Sequence, residues 1–191
     1  MFWRRGVRRL ANRGVAREPR GDGSERRAPE QNISDRTHSQ MKERNNMKIT
    51  ALQNYTPESA SRIRELMTQL SRSGKDHGEI TKQWLEEIIA SPYHDILIAT
   101  NDGGTIIGMA SLSIIINLRD KKAYLEDFVT DTTLRGQGIG SALWDAMLDW
   151  SKRKGCTELD FTSGYDREAA HRFYLGHDAK IYDTAFFRKT L

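Results

Sequence analysis

Arg135-Gly136-Gln137-Gly138-Ile139-Gly140 lies between a strand-like run and the start of a long amphipathic stretch. Glycine alternates with other residues just where a helix begins. Such a loop exposes several backbone N–H groups at a helix N-terminus, where the macrodipole also favours negative charge, so it reads as a site for the oxygens of a diphosphate. A dinucleotide fingerprint would need glycines spaced G-x-G-x-x-G early in a βαβ unit; here the spacing is G-x-G-x-G after antiparallel strands. No Gly-Lys-Ser/Thr follows, which excludes a Walker A loop. Taken alone, the glycines also fit a tight strand-to-helix turn without a ligand.

Working outward, residues Ile139, Ala142, Leu143, Ala146, Met147 and Trp150 form one apolar stripe, which predicts a helix from Gly138 to about Lys154. Glu158 to Thr162 reads as a strand, Arg167 to Tyr174 as a short helix and Ala185 to Lys189 as a final strand. Upstream, Ala123 to Thr130 is a strand entered from a turn at Leu118 to Lys122. Ile106, Gly108, Ala110, Leu112, Ile114 and Ile116 alternate along a long strand, and Asn101-Asp102-Gly103-Gly104 is a hairpin turn after a buried strand at Asp95 to Thr100. Lys48 to Leu52 is a short strand. Thr56-Pro57 supplies an N-cap and a first-turn proline for a helix to about Ser71, with Ala60, Ile63, Leu66, Met67 and Leu70 on its face. Trp84, Leu85, Ile88 and Ile89 mark a second helix stopped by Ser91-Pro92, with Trp84 and Trp150 expected on core faces and Trp144 on a flank. The order β-α-α-β-β-β-α-β-α-β predicts a mixed α/β single domain over residues 47–191.

The 191 residues suffice for one domain with a real core. Charge is uneven. Residues 1–46 hold 12 Lys/Arg against 6 Asp/Glu, a net of +6, whereas residues 47–191 hold 18 against 20, a net of −2, so the basic character belongs to the tail. The tail is poor in apolar residues and without period, so it is expected to be a disordered basic extension. Three readings of it stay open: a transit-like mitochondrial address, since Met1 to Arg17 carry six arginines and no acid; a basic arm for nucleic acid or acidic lipid; or residues upstream of a natural start at Met47. No apolar run approaches the ~20 residues that span a bilayer. Cys156 is alone, which excludes a disulfide framework, and His77 and His94 have no spaced partner, so no metal is expected. A cytoplasmic location fits.

Leu125-Glu126-Asp127-Phe128-Val129-Thr130-Asp131, the glycine loop and the long helix together resemble the GNAT superfamily of acetyl-CoA-dependent N-acetyltransferases. Its Arg/Gln-x-x-Gly-x-Gly/Ala signature is met by Arg135, Gly138 and Gly140. Its Ala-x-x-Phe-Tyr feature is met by Ala170-His171-Arg172-Phe173-Tyr174. The resemblance covers about Met47 to Leu191 and implies a mostly antiparallel sheet flanked by helices, with acetyl-CoA as co-substrate and an amine as acceptor. It implies that backbone amides over Gly136, Gln137, Gly138, Ile139, Gly140 and Ser141 hold the pyrophosphate. Phe128, Val129 and Thr130 would offer backbone groups to the pantetheine arm. Two departures stand out. Arg167 replaces an asparagine common in the family. Leu175-Gly176-His177-Asp178-Ala179 replaces Glu-Lys-Leu-Gly-Phe, so either the helix is shorter or Asp178 takes a left-handed position.

Acetyl transfer needs a neutral amine, hence a base acting directly or through water. Glu126 is the first candidate and Asp127 the second; as strand neighbours they are expected on opposite faces. The resemblance makes Tyr174 the acid that protonates the departing thiolate. His171 is a candidate relay or a surface residue. Arg167 and Arg172 are candidates for phosphates or an acidic substrate, and the Asp76-His77-Gly78-Glu79 loop for acceptor selection. The acceptor expected is a small amine: amino sugar, polyamine, aminophosphonate or amino-acid derivative. A non-catalytic acyl-CoA-binding module and a protein- or RNA-directed transferase are the alternatives. Nucleic acid and membrane are not expected partners, and a homodimer is compatible with the resemblance.

Overall fold

The computed structural model describes residues 47–191 apart from 72 and 77. The expected disordered tail and His77 thus lie outside the described residues. The elements are β1 (Lys48–Ala51), α1 (Pro57–Leu70), α2 (Lys82–Ala90), β2 (His94–Thr100), β3 (Ile106–Ile116), β4 (Lys121–Thr130), a 3₁₀ turn (Thr132–Leu134), α3 (Ile139–Arg153), β5 (Leu159–Phe161) and α4 (Glu168–Gly176). The five strands lie in the order β1-β2-β3-β4-β5, antiparallel throughout except that β4 and β5 run parallel. Among the described residues no helix is long and apolar enough to cross a membrane.

Local chemistry sets the elements. At α1 the Thr56 hydroxyl accepts from Ser59 N–H while the Ser59 hydroxyl accepts from Thr56 N–H, a reciprocal capping box with Pro57 just inside. The sheet divides the core in two. On one face Leu97, Ala110, Leu112 and Leu125 pack against Leu143, Met147 and Trp150 of α3. On the other, Ile96, Met109 and Val129 pack against Ile63 and Leu66 of α1 and Leu85 of α2.

Two features of β4 create the site. Ser111 pairs with Asp127 and Leu112 with Leu125, so Glu126 is the extra residue of a β-bulge. The bulge inverts the strand's face parity: Leu125 and Val129, four residues apart, bury into opposite cores. In addition, β5 pairs only with Ala123, Tyr124 and Leu125, so beyond Leu125 the two parallel strands part and a cleft opens.

Several expectations are corrected. Trp84 is 60% exposed, because α2 turns Leu85 and not its neighbour toward the sheet. Trp144 is buried rather than flanking, covered by Phe161, Phe173, Tyr174 and His177. Ala185 to Lys189 forms no strand, since no neighbouring strand pairs with it, and residues 180–191 are all exposed. Asp178 does take the left-handed position, at φ 62. Ala179 N–H donates to Tyr174 O at 3.1 Å and Asp178 N–H to Leu175 O at 3.2 Å, which closes α4 as a Schellman motif.

Candidate active site

The glycine loop forms the N-terminal entry to α3. Gly136 and Gly138 lie at φ 79 and 81, in the left-handed region where a side chain is strained. A Cβ built at either would meet nothing within 4 Å, so open space faces the backbone there. No side chain caps α3, and Arg135, Gly136, Gln137 and Gly138 are exposed. Ile139 is buried and anchors the turn, while Ser141 is half-buried. A helix terminus without a side-chain cap, the dipole and a bare approach are what a diphosphate requires. The residues therefore fit the pyrophosphate that the resemblance assigned to them.

The loop is held from behind by residues that the sequence did not single out. Asp131 caps the 3₁₀ turn, accepting from Thr133 N–H at 2.9 Å and Thr133 Oγ1 at 2.7 Å, and it pairs with Arg62 of α1. These hydrogen bonds and the guanidinium hold the Asp131 carboxyl below the usual carboxylate range. Arg62 Nε also donates to Ile106 O at 2.8 Å, and Gln69 Oε1 accepts from Thr132 N–H at 2.9 Å. Asp131-Thr132-Thr133 has the look of a turn cap and was findable; its partner Arg62, 69 residues away, was not.

A cavity of about 430 Å³ occupies the cleft where β4 and β5 part. Met67, Leu70 and Ser71 at the end of α1 form one side; Leu125 to Phe128, Phe161 to Gly164, Arg167, Ala170 and Tyr174 form the rest. Both Glu126 and Asp127 line it. The bulge overturns the expectation that only one of them could, because two successive residues there oppose a single partner residue. Val129 is buried toward α1, and Thr130 pairs with Gly108. Glu126 to Thr130 have no strand partner on the β5 side, which leaves a backbone edge on which an extended arm could lie.

Tyr174 stands across the cavity in an aromatic cluster. Its ring centroid is 4.6 Å from Phe161, 5.7 Å from Trp144 and 5.7 Å from Phe173. Burial pushes its phenol above the ordinary value, and the nearby Arg167 charge partly opposes this. The group is therefore protonated at neutral pH and able to donate. Phe173 also packs beside Gly140, 3.6 Å from where a Cβ would stand, and 5.7 Å from Phe128.

Arg167 lines the cavity and bridges its two sides. Its Nη2 donates to Leu70 O at 2.7 Å, tying the start of α4 to the last turn of α1 across the cavity. Arg172 is exposed and pairs with Glu168 at 3.5 Å. His171 is half-buried. Asp76 pairs with Arg64 and caps Gly78 N–H at 3.0 Å; among the described residues of that loop none lines the cavity.

The family model described as acetyltransferase (GNAT) family matches residues 61–177. The chain is similar to the aminoglycoside N(6')-acetyltransferase type 1 of Serratia marcescens, 29% identical over 128 residues that cover 63% of this chain and 84% of that protein. It is also similar to the aminoalkylphosphonate N-acetyltransferase of Salmonella typhimurium, 25% identical over 131 residues, 68% of this chain and 84% of that protein. A match to an uncharacterized N-acetyltransferase of Bacillus subtilis is 33% identical but spans 46% of that protein's length and 35% of this chain. Among solved structures, an aminoglycoside acetyltransferase from an uncultured soil metagenomic sample, in complex with sisomicin, superposes with a TM-score of 0.68. It is 19% identical, with 76% of this chain and 96% of that chain covered, a likeness of fold.

Proposed function

The chain belongs to the acetyltransferase (GNAT) family and is an N-acetyltransferase of it, and from that premise we propose that it moves the acetyl group of acetyl-CoA directly onto a primary amine of a compact, cationic small molecule. The observation that carries this reading is the cavity at the β4/β5 fork, with two carboxylates on one wall and a protonated tyrosine on another. Acetyl-CoA supplies an activated thioester. What the chain supplies is position and proton traffic.

In this reading the amides over residues 136–141 hold the diphosphate, and the backbone edge of Phe128, Val129 and Thr130 aligns the arm beside Ala170 and Phe173. Glu126, directly or through water, takes the proton that the amine sheds as the new C–N bond forms. Asp127 holds the ammonium form in place before that loss. Tyr174 gives its proton to the thiolate as the C–S bond breaks. The departing charge is thus neutralised inside an aromatic, partly dried pocket, where a preorganised donor is worth more than in water.

The cavity volume falls within the usual range for small-molecule sites, roughly 300–1,000 Å³. Two carboxylates in its wall favour a polyamine or amino sugar over an aminophosphonate, whose own negative charge they would repel. The two longer relatives are named for aminoglycoside and aminoalkylphosphonate acceptors. The test is a panel of amines assayed for release of free CoA thiol. Turnover on aminoglycosides or polyamines supports the reading; acetyl-CoA binding with no turnover on any amine would leave a binding module instead.

A further inference from the structure

Among the described residues Arg167 is the one cation in the wall of the cavity, which it shares with the carboxylates of Glu126 and Asp127. A single hydrogen bond fixes it. Nη2 donates at 2.7 Å to Leu70 O, a carbonyl at the end of α1 where the helix has no N–H left to offer. The last turn of α1 contains no basic residue of its own, so this distant guanidinium supplies the positive charge that a helix C-terminus favours. The anchor uses one N–H of a planar fork that carries several and accepts nothing. Among the described residues no other hydrogen bond or ion pair holds that side chain, and it does not cap α4. The fork therefore keeps donors for a ligand in the cavity.

Such donors call for an oxygen. Filling the cavity with a ligand that cannot accept from them leaves half-buried N–H groups without water or partner. A site built to donate to a substrate hydroxyl discriminates strongly against an analogue that lacks one. A linear polyamine brings only ammonium groups, which a guanidinium repels. An amine carried on a hydroxylated ring meets both demands: its ammonium faces the carboxylates and its hydroxyl or ring oxygen accepts from the fork. The rest of the wall has the same character. Ser71, Thr162 and Ser163 add hydroxyls, and Met67 and Leu70 add apolar surface.

We propose that Arg167 selects the acceptor: held in place by Leu70 O, it donates its remaining N–H groups to a hydroxyl or ring oxygen of the amine, so that an amino sugar is taken in preference to a linear polyamine. This rests on the acetyl-transfer reading above and narrows its acceptor. Arg167 and Tyr174 both line the cavity, about two turns of α4 apart on one face of that helix, so the group that orients the acceptor and the group that protonates the leaving thiolate are set by one element.

The test compares kanamycin, a hydroxylated polycationic amine, with spermidine, a linear one, in the full chain and in Arg167→Met, which keeps most of the stem and removes the donors. The parent should show kcat/KM at least tenfold higher for kanamycin. Arg167→Met should lose that preference, through a higher KM for kanamycin with spermidine unchanged or improved. A loss shared equally by both amines would mark Arg167 as a structural tie only and overturns the proposal, as does a preference that survives the substitution. Titration calorimetry on the unaltered chain saturated with CoA does not depend on the variant folding. Kanamycin should bind at least tenfold more tightly than spermidine; equal or weaker binding overturns the proposal. The two readings fail separately. Kanamycin binding that needs Arg167 without turnover of any amine would remove acetyl transfer and leave the selection, whereas turnover with a preference indifferent to Arg167 would do the reverse.

Discussion

Glu126 and Asp127 share a cavity wall because one residue of β4 is left out of register, and the proposed function gives the two carboxylates separable tasks. Glu126→Gln should lower kcat by about 10²–10⁴, the usual worth of a positioned base. Asp127→Asn should raise KM for the amine more than it lowers kcat; steady-state kinetics across pH separates the two. Tyr174→Phe should lower kcat by a comparable factor with little change in acetyl-CoA affinity. The Tyr174 phenol, raised by burial, must stay protonated to donate, so activity should fall only as pH rises through its pKa. Arg167 partly opposes that rise. Arg167→Gln should therefore move the alkaline limb upward, and a limb that stays or moves down would contradict the placement. At this scale the sequence pointed to Tyr174, which lines the cavity. It misled where geometry intervenes: one bulge residue reversed the facing argument for Glu126 and Asp127, and Arg167 turned out to bind a helix carbonyl.

The glycine loop and its backing show what a single element contributes. Gly138→Ala should strain the left-handed entry to α3 by roughly 1–2 kcal/mol and weaken acetyl-CoA binding at least tenfold. Gly140→Ala should leave the stability near that of the parent, since its Cβ would make only ordinary contacts of 3.6 Å or more. Thermal unfolding and titration calorimetry on the two variants measure the contrast. Behind the loop, Asp131→Asn should cost about 1.5–3 kcal/mol at pH 7, the worth of hydrogen bonds to a charged group. The Asp131 carboxyl is depressed in the fold, so its contribution is present above the ordinary value of about 3.9 and is lost as pH falls through the lower folded value. Urea unfolding at pH 7 and pH 3 should show the difference between parent and variant shrinking in acid. Helices and long strands were readable here because Thr56-Pro57, the Asn101–Gly104 turn and the α3 stripe are local signals. The clamp between Arg62 and Asp131 was not, because nothing local links α1 to the end of β4.

For the whole molecule, the order of elements fixed a mixed sheet with helices on both faces, and the parting of β4 from β5 after Leu125 opened a cleft in that sheet. The expected last strand failed for a reason that belongs to this scale. Strand propensity in Ala185 to Lys189 is real, but a strand exists only when a neighbour pairs with it. The central claim is that the glycine loop and the fork of the sheet together bind acetyl-CoA. Titration calorimetry of acetyl-CoA into the folded full-length chain tests it most directly, with Gly138→Ala alongside. The account predicts one site per chain of micromolar affinity, weakened at least tenfold by the substitution. No binding to a folded sample, or equal binding by both proteins, would contradict it.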